Sequence, residues 1–116
     1  MTAFRIKRVY DEPADGDGYR ALVDRLWPRG VTKERAALDE WCKDIAPSSE
    51  LRTWFDHDPA KFDEFSARYE DELAQNPAVG ELLVRVKDQS VVTLLYGAKD
   101  PQVNHAVVLA RFLEKG

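Results

Sequence analysis

The chain has little of what several kinds of chemistry require. Cys42 is its one cysteine, so no disulfide can form within it. That suits a reducing compartment and sets the expectation of a cytoplasmic protein. Two histidines and no clustered thiols make a poor ligand set, so neither a bound metal nor another cofactor is expected. No apolar run approaches the ~20 residues that a membrane-spanning helix needs. The opening Met1-Thr2-Ala3-Phe4-Arg5 lacks the apolar stretch of a signal peptide. Basic charge is also short. Lys and Arg number 17 against 21 Asp and Glu, a formal net charge of -4, which argues against gripping duplex DNA by bulk charge.

What remains is the composition of a folded domain. Hydrophobic residues make up 44% of 116, enough for a core, and the expectation is one domain over residues 1–116. Phe4 to Tyr10 alternates as a strand. Asp15-Gly16-Asp17-Gly18 is turn chemistry; as a calcium loop it fails, because the twelfth position is Leu26 where glutamate is required. Tyr19 to Leu26 reads as a second strand around the apolar Ala21-Leu22-Val23. Thr32 can cap a short helical turn, and Ala36 to Ile45 fits either a helical face or a strand.

Helix starts follow. Ser48 or Ser49 caps one through Phe55, and Asp58-Pro59 and Asn76-Pro77 each pair an N-cap with proline at the first helical position. Phe62, Phe65, Tyr69 and Leu73 mark one apolar face; Val79, Leu82, Leu83 and Val86 mark the next. Val91 to Tyr96 is a buried-type strand, and Asp100-Pro101 opens a last helix. Strands separated by helices predict a three-layer α/β domain with a small, mostly parallel sheet. The short connection after the first strand points to an antiparallel edge, which would make the sheet mixed.

Three stretches carry a resemblance: Leu22 to Gly30 with its Asp-Arg-Leu-Trp-Pro-Arg-Gly run, Ala46-Pro47-Ser48 with Leu51 to Asp58, and Leu94 to Asp100 leading to Asn104-His105-Ala106. Together they resemble domain-of-unknown-function family 488, in its small YeaO-like branch. The resemblance covers nearly the whole chain. It implies a Rossmann-like α/β domain from bacteria and archaea with no established activity. Larger members of that family tend to carry a cysteine at the end of the last strand and Cys-His-Arg at the start of the next helix. Here those places hold Tyr96 and Asn104-His105-Ala106, so thiol or metal chemistry does not carry over.

The charge is unevenly spread. Arg25, Arg29, Lys33 and Arg35 stand against one acid, Glu34, whereas Asp56 to Glu72 holds seven acids and two basic residues. The basic group follows a buried strand, and ligands of open α/β sheets collect beyond the carboxyl ends of strands. A pocket for a small anion, bearing phosphate or carboxylate, is therefore expected there. Arg25 and Arg29 would hold the anion by their planar forks. Arg52 and Lys33 would assist, with Trp27, Asp100 and Asn104 also contacting the ligand. His57, Tyr96 and Asp24 are the candidates to orient it or to move protons. The competing reading of the same residues is structural, with Arg25 and Arg29 paired to Asp24, Asp44 or Asp100. A further alternative is a binding module without chemistry, meeting protein or single-stranded nucleic acid through the basic loop and Trp27, Trp41 and Trp54. Trp residues are otherwise core or groove wall. Asp56-His57-Asp58 lacks metal-site spacing, and Cys42 is better read as a small buried apolar residue than as a nucleophile for His57.

Overall fold

The structure, a computed structural model, describes residues 2–115. Four strands, β1 (Ala3–Arg8), β2 (Tyr19–Leu22), β3 (Glu40–Trp41) and β4 (Val91–Tyr96), form one sheet in the order β1-β4-β2-β3. Every pairing is parallel. The antiparallel edge expected from the short first connection does not form. β4 lies between β1 and β2, so the residues joining those two strands never have to make a hairpin.

Five helices accompany the sheet: α1 (Lys33–Ala36), α2 (Ser49–Phe55), α3 (Phe62–Ala74), α4 (Pro77–Arg85) and α5 (His105–Lys115). The side chains of β4 alternate between two cores, as a pleated strand requires. Val92, Leu94 and Tyr96 join the larger core with Phe65, Tyr69 and Leu73 of α3 and Ala106, Leu109 and Leu113 of α5. Leu95 faces a smaller core with Val9, Leu22, Val31 and Ala36. The second face is covered by α1 and by the loop that carries a 3-10 turn at Asp15–Asp17. No helix of the described residues is long and apolar enough to cross a membrane.

That loop is anchored by charge. Asp17, 8% exposed, accepts from Lys7 Nζ at 3.1 Å, from Arg20 Nη1, and from the Ala14 amide at 3.0 Å. The Arg20 head is satisfied all round, donating also to Ala36 O at 2.8 Å and Ala37 O at 3.0 Å. Gly18 follows at φ 64, and a Cβ there would sit 2.3 Å from Val91 O, so only glycine lets the loop lie this close to β4.

Helix starts fall where capping chemistry places them, with one exception. Ser48, Asp58 and Asn76 each accept from a backbone amide two or three residues on. Asp100-Pro101, read as a helix start, makes only a turn: Asp100 Oδ1 takes the Gln102 and Val103 amides. Asn104 accepts from the Val107 amide at 3.1 Å and caps α5 instead. Thr32 caps α1, and the segment Ala36 to Ile45, open between helix and strand, holds the last residue of α1, the two-residue edge strand β3 and a 3-10 turn at Lys43–Ile45. β2 ends at Leu22, four residues earlier than the sequence suggests, and Leu26 is 66% exposed.

Candidate functional site

Beyond the carboxyl ends of β2 and β4 lies a cleft of about 440 Å³, within the ~300–1,000 Å³ range of small-molecule sites. The loop after β2 gives it Asp24, Arg25 and Trp27; α2 and its exit give Arg52, Phe55 and His57; the segment from Gly97 to the start of α5 gives Asn104 and His105. Six of the residues singled out in the sequence therefore share one concavity: Asp24, Arg25, Trp27, Arg52, His57 and Asn104. Arg29, Lys33, Asp100 and Tyr96 do not line it. Arg29 is exposed, and its carbonyl accepts from Tyr10 Oη at 3.0 Å. Lys33 is exposed at the start of α1, and Asp100 is occupied with its own turn. Tyr96 lies beneath, 2% exposed, and burial pushes its phenol above the ordinary value.

Asp24 ties the floor of the cleft together. Its Oδ2 accepts from the Gly97 amide at 2.8 Å, and a Cβ on residue 97 would meet that oxygen at 3.0 Å. Its backbone carbonyl accepts from Trp41 Nε1 at 2.8 Å. Its Oδ1 lies 3.2 Å from His105 Nε2, a nitrogen that also lies 3.0 Å from Val23 O. Asp24 Oδ1 is buried, with the His105 ring nitrogen as its polar neighbour. His105 received no role in the sequence reading. The signal available was its place beside the Asn104 cap, one residue into a helix that begins over the strand ends.

The two arginines of the cleft are free of carboxylates. Arg25 Nη2 reaches Ala46 O and Pro47 O only at 3.4 Å each, and its Nε is buried without a partner. Among the described residues Arg25, Arg29 and Arg52 form no ion pair. Asp56 and His57, on the cleft wall beside Arg52, both adopt the left-handed conformation, at φ 48 and 55. That conformation costs roughly 1–2 kcal/mol per non-glycine residue. It ends α2 with the Asp56 amide on Arg52 O at 3.0 Å and brings the His57 ring to 6.1 Å from that of Phe55.

The tryptophans act as wall. Trp27 donates to Val31 O at 2.7 Å and meets Trp41 edge to face at 5.3 Å. Trp54 is covered by the Arg68 guanidinium at 4.4 Å and by Lys61 Nζ at 5.3 Å. Cys42 is buried away from the cleft; burial, with Glu40 beside it, pushes its thiol up to about 11. No group of three or more His, Cys, Asp or Glu among the described residues is arranged to hold a metal ion.

A parallel sheet with the Asp-Arg-Leu-Trp-Pro-Arg-Gly loop at its carboxyl edge defines the class. Residues 3–116 match the model of DUF488-N3i, described as the inactive DUF488-N3 subclade, and the chain belongs to that family. It is 50% identical over 107 residues to the uncharacterised protein YeaO of Escherichia coli K12, covering 92% of this chain and 93% of YeaO. It is 45% identical over 112 residues to the uncharacterised protein Rv3073c of Mycobacterium tuberculosis H37Rv, covering 97% of this chain and 94% of that relative. No solved structure matches.

Proposed function

We propose that this protein is a cytoplasmic, non-catalytic binding protein whose cleft takes a small anionic ligand, with Arg25 and Arg52 as the anion contacts and His57 and Asn104 beside them. One observation carries the reading: the contrast between Arg20 and Arg25. Arg20 is what a structural buried arginine looks like, with an acid and two carbonyls satisfying its head. Arg25 has two long contacts to carbonyls and a buried Nε–H with nothing to receive it. Buried polar groups are satisfied in the great majority of cases, and an exception marks either a structural defect or an absent partner. A bidentate carboxylate or phosphate is the partner that a guanidinium fork fits. The subclade's description as inactive agrees with a site that binds without turning over.

The module alternative, reading single-stranded nucleic acid by stacking, is less favoured. Trp54 already carries a cation on its ring and Trp27 is packed against Trp41. The test is calorimetric titration of acetate, inorganic phosphate and larger carboxylates into wild type, Arg25→Gln and Arg52→Gln. The reading expects saturable binding that weakens by roughly tenfold or more in Arg25→Gln, the scale of a lost charge-assisted hydrogen bond. Anion binding that is equal in all three proteins, or absent in wild type, removes it.

A further inference from the structure

The lining of the cleft has an apolar side as well as its arginines. Exposed large hydrophobic side chains are few among the described residues: Tyr10, Leu26, Trp41 and Val84. Two of these, Tyr10 and Leu26, line the cleft, and Trp41 meets the lining residue Trp27 edge to face at 5.3 Å. Tyr10 is engaged already, its hydroxyl on Arg29 O and the Arg8 guanidinium over its ring. Leu26, next to Arg25 in the chain, is 66% exposed, and only apolar contact can complete it. Phe55, stacked on Phe65 at 4.1 Å, backs the same concavity. Single exposed apolar residues are ordinary, but a group of them at a concave site marks a surface that a ligand covers.

Charge limits the other end of that ligand. Arg25 and Arg52 stand against Asp24 and Asp56, with His57 and His105 on the same lining. Asp24 is engaged by the Gly97 amide and the His105 ring nitrogen. Two arginines against two aspartates give the lining a formal charge of zero with both histidines neutral, and +2 with both protonated. One negative charge falls in the middle of that range, and a polyphosphate exceeds it. The groups placed to receive the charge are Arg52, exposed on α2, and Nη2 of Arg25, whose hydrogen bonds to Ala46 O and Pro47 O are 3.4 Å long. At about 440 Å³ the cleft is far larger than a bare acetate or phosphate fills.

We infer that the ligand is an amphipathic monocarboxylate, its carboxylate received by Arg52 and the Arg25 head and its aliphatic or aromatic body lying on Leu26 and the wall that Trp27 and Phe55 form. The inference rests on the anion-site reading and names the class of anion. Leu26 is then the residue that selects for the apolar body. Nucleoside di- and triphosphates carry more negative charge than this lining balances.

The experiment is a calorimetric titration of acetate, butyrate, hexanoate and octanoate, with hexanamide and inorganic phosphate alongside, into the wild-type protein and Leu26→Ser. In wild type, affinity should rise along the series by about fourfold for each methylene that becomes buried. Hexanoate should exceed both hexanamide and phosphate by about tenfold or more, the scale of a charge-assisted hydrogen bond. Leu26→Ser should bind hexanoate about fivefold or more weakly, with its urea midpoint unchanged because Leu26 is exposed in the free protein. Equal affinity from acetate to octanoate, or phosphate binding as tightly as hexanoate, would overturn the amphipathic monocarboxylate while leaving the anion site in place. Full hexanoate affinity in Leu26→Ser would overturn the placing of the apolar body. Hexanamide binding as tightly as hexanoate, or no binding of any acid, would overturn the anion site and the monocarboxylate together.

Discussion

Replacing Arg25 and Arg20 in parallel separates an arginine that serves a ligand from one that holds the fold. In Arg20→Ala, Asp17 keeps only Lys7 and the Ala14 amide, and the Ala36 and Ala37 carbonyls each lose a donor. Removing one partner of a buried ion pair costs roughly 3–5 kcal/mol. In Arg25→Ala the losses are two hydrogen bonds at 3.4 Å, near the limit of the interaction, and some contact of the side-chain stem. Against these stands relief of a buried, unpartnered Nε–H, whose burial costs about 1–3 kcal/mol. The balance leaves Arg25→Ala within ~1 kcal/mol of wild type. At an m-value of ~1.5 kcal/mol/M in urea, the Arg20 variant should unfold with a midpoint lowered by ~2–3 M and the Arg25 variant by less than ~0.7 M. Equilibrium urea unfolding followed by tryptophan fluorescence reads both. If Arg25→Ala costs 3 kcal/mol or more at an unchanged m-value, Arg25 is structural and the anion site has lost its principal residue.

Three further outcomes follow from the same geometry. Arg29→Ala and Lys33→Ala, both outside the cleft, should leave ligand affinity within about twofold and stability within ~0.5 kcal/mol, as exposed substitutions do; a tenfold loss of binding in either would mean that the cleft extends around Pro28. Cys42, buried and with its thiol pushed up to about 11, should resist a thiol-reactive chromogen at pH 8 in the native protein and react at once in denaturant; rapid native labelling would show that the β3 edge opens freely. Burial pushes the Asp17 carboxyl up, but the Ala14 amide, Lys7 and Arg20 outweigh it and hold the group below its ordinary 3.8. A carboxyl lowered in the folded state stabilises above the unfolded value and loses that contribution as pH falls through the folded one. Acid titration of stability should therefore be steeper below pH 3.8 in wild type than in Asp17→Asn, and identical slopes would contradict the pairing.

Much of the architecture was legible because it is local. Asp58-Pro59 and Asn76-Pro77 each combine an N-cap with a fixed proline φ, and both open helical structure where expected. The apolar spacing of Phe65, Tyr69 and Leu73 identified the buried face of α3. Asp100 and Asn104 show the limit of such reasoning. Both can accept backbone amides, and only packing in three dimensions decides which one caps α5. The insertion of β4 between β1 and β2 has no local signal at all, since it is a pairing between the two ends of the chain. The site divides the same way. Arg25 and Trp27 could be placed beyond a strand end by their position after Leu22 and Val23. Arg29 is close to them in sequence, but it sits in the turn after Pro28, exposed and outside the lining of the cleft. His105 enters only through the register of α5 over β2.

The position of β4 also governs how a growing chain can acquire this fold. β1 and β2 emerge first, but neither pairs with the other; β1 has β4 as its strand partner and β2 reaches β1 only across β4, with Ala3 meeting Val91 and Tyr19 meeting Val92. Loop-closure entropy must be met before those long-range pairings return any energy. A chain without Val91–Tyr96 cannot complete the sheet. Until the strand that ends in Tyr96 has emerged, the β1 edge and the apolar face of β2 stay open. The sheet thus closes only after β4 has emerged, and the cleft needs Gly97 and His105 as well as Arg25.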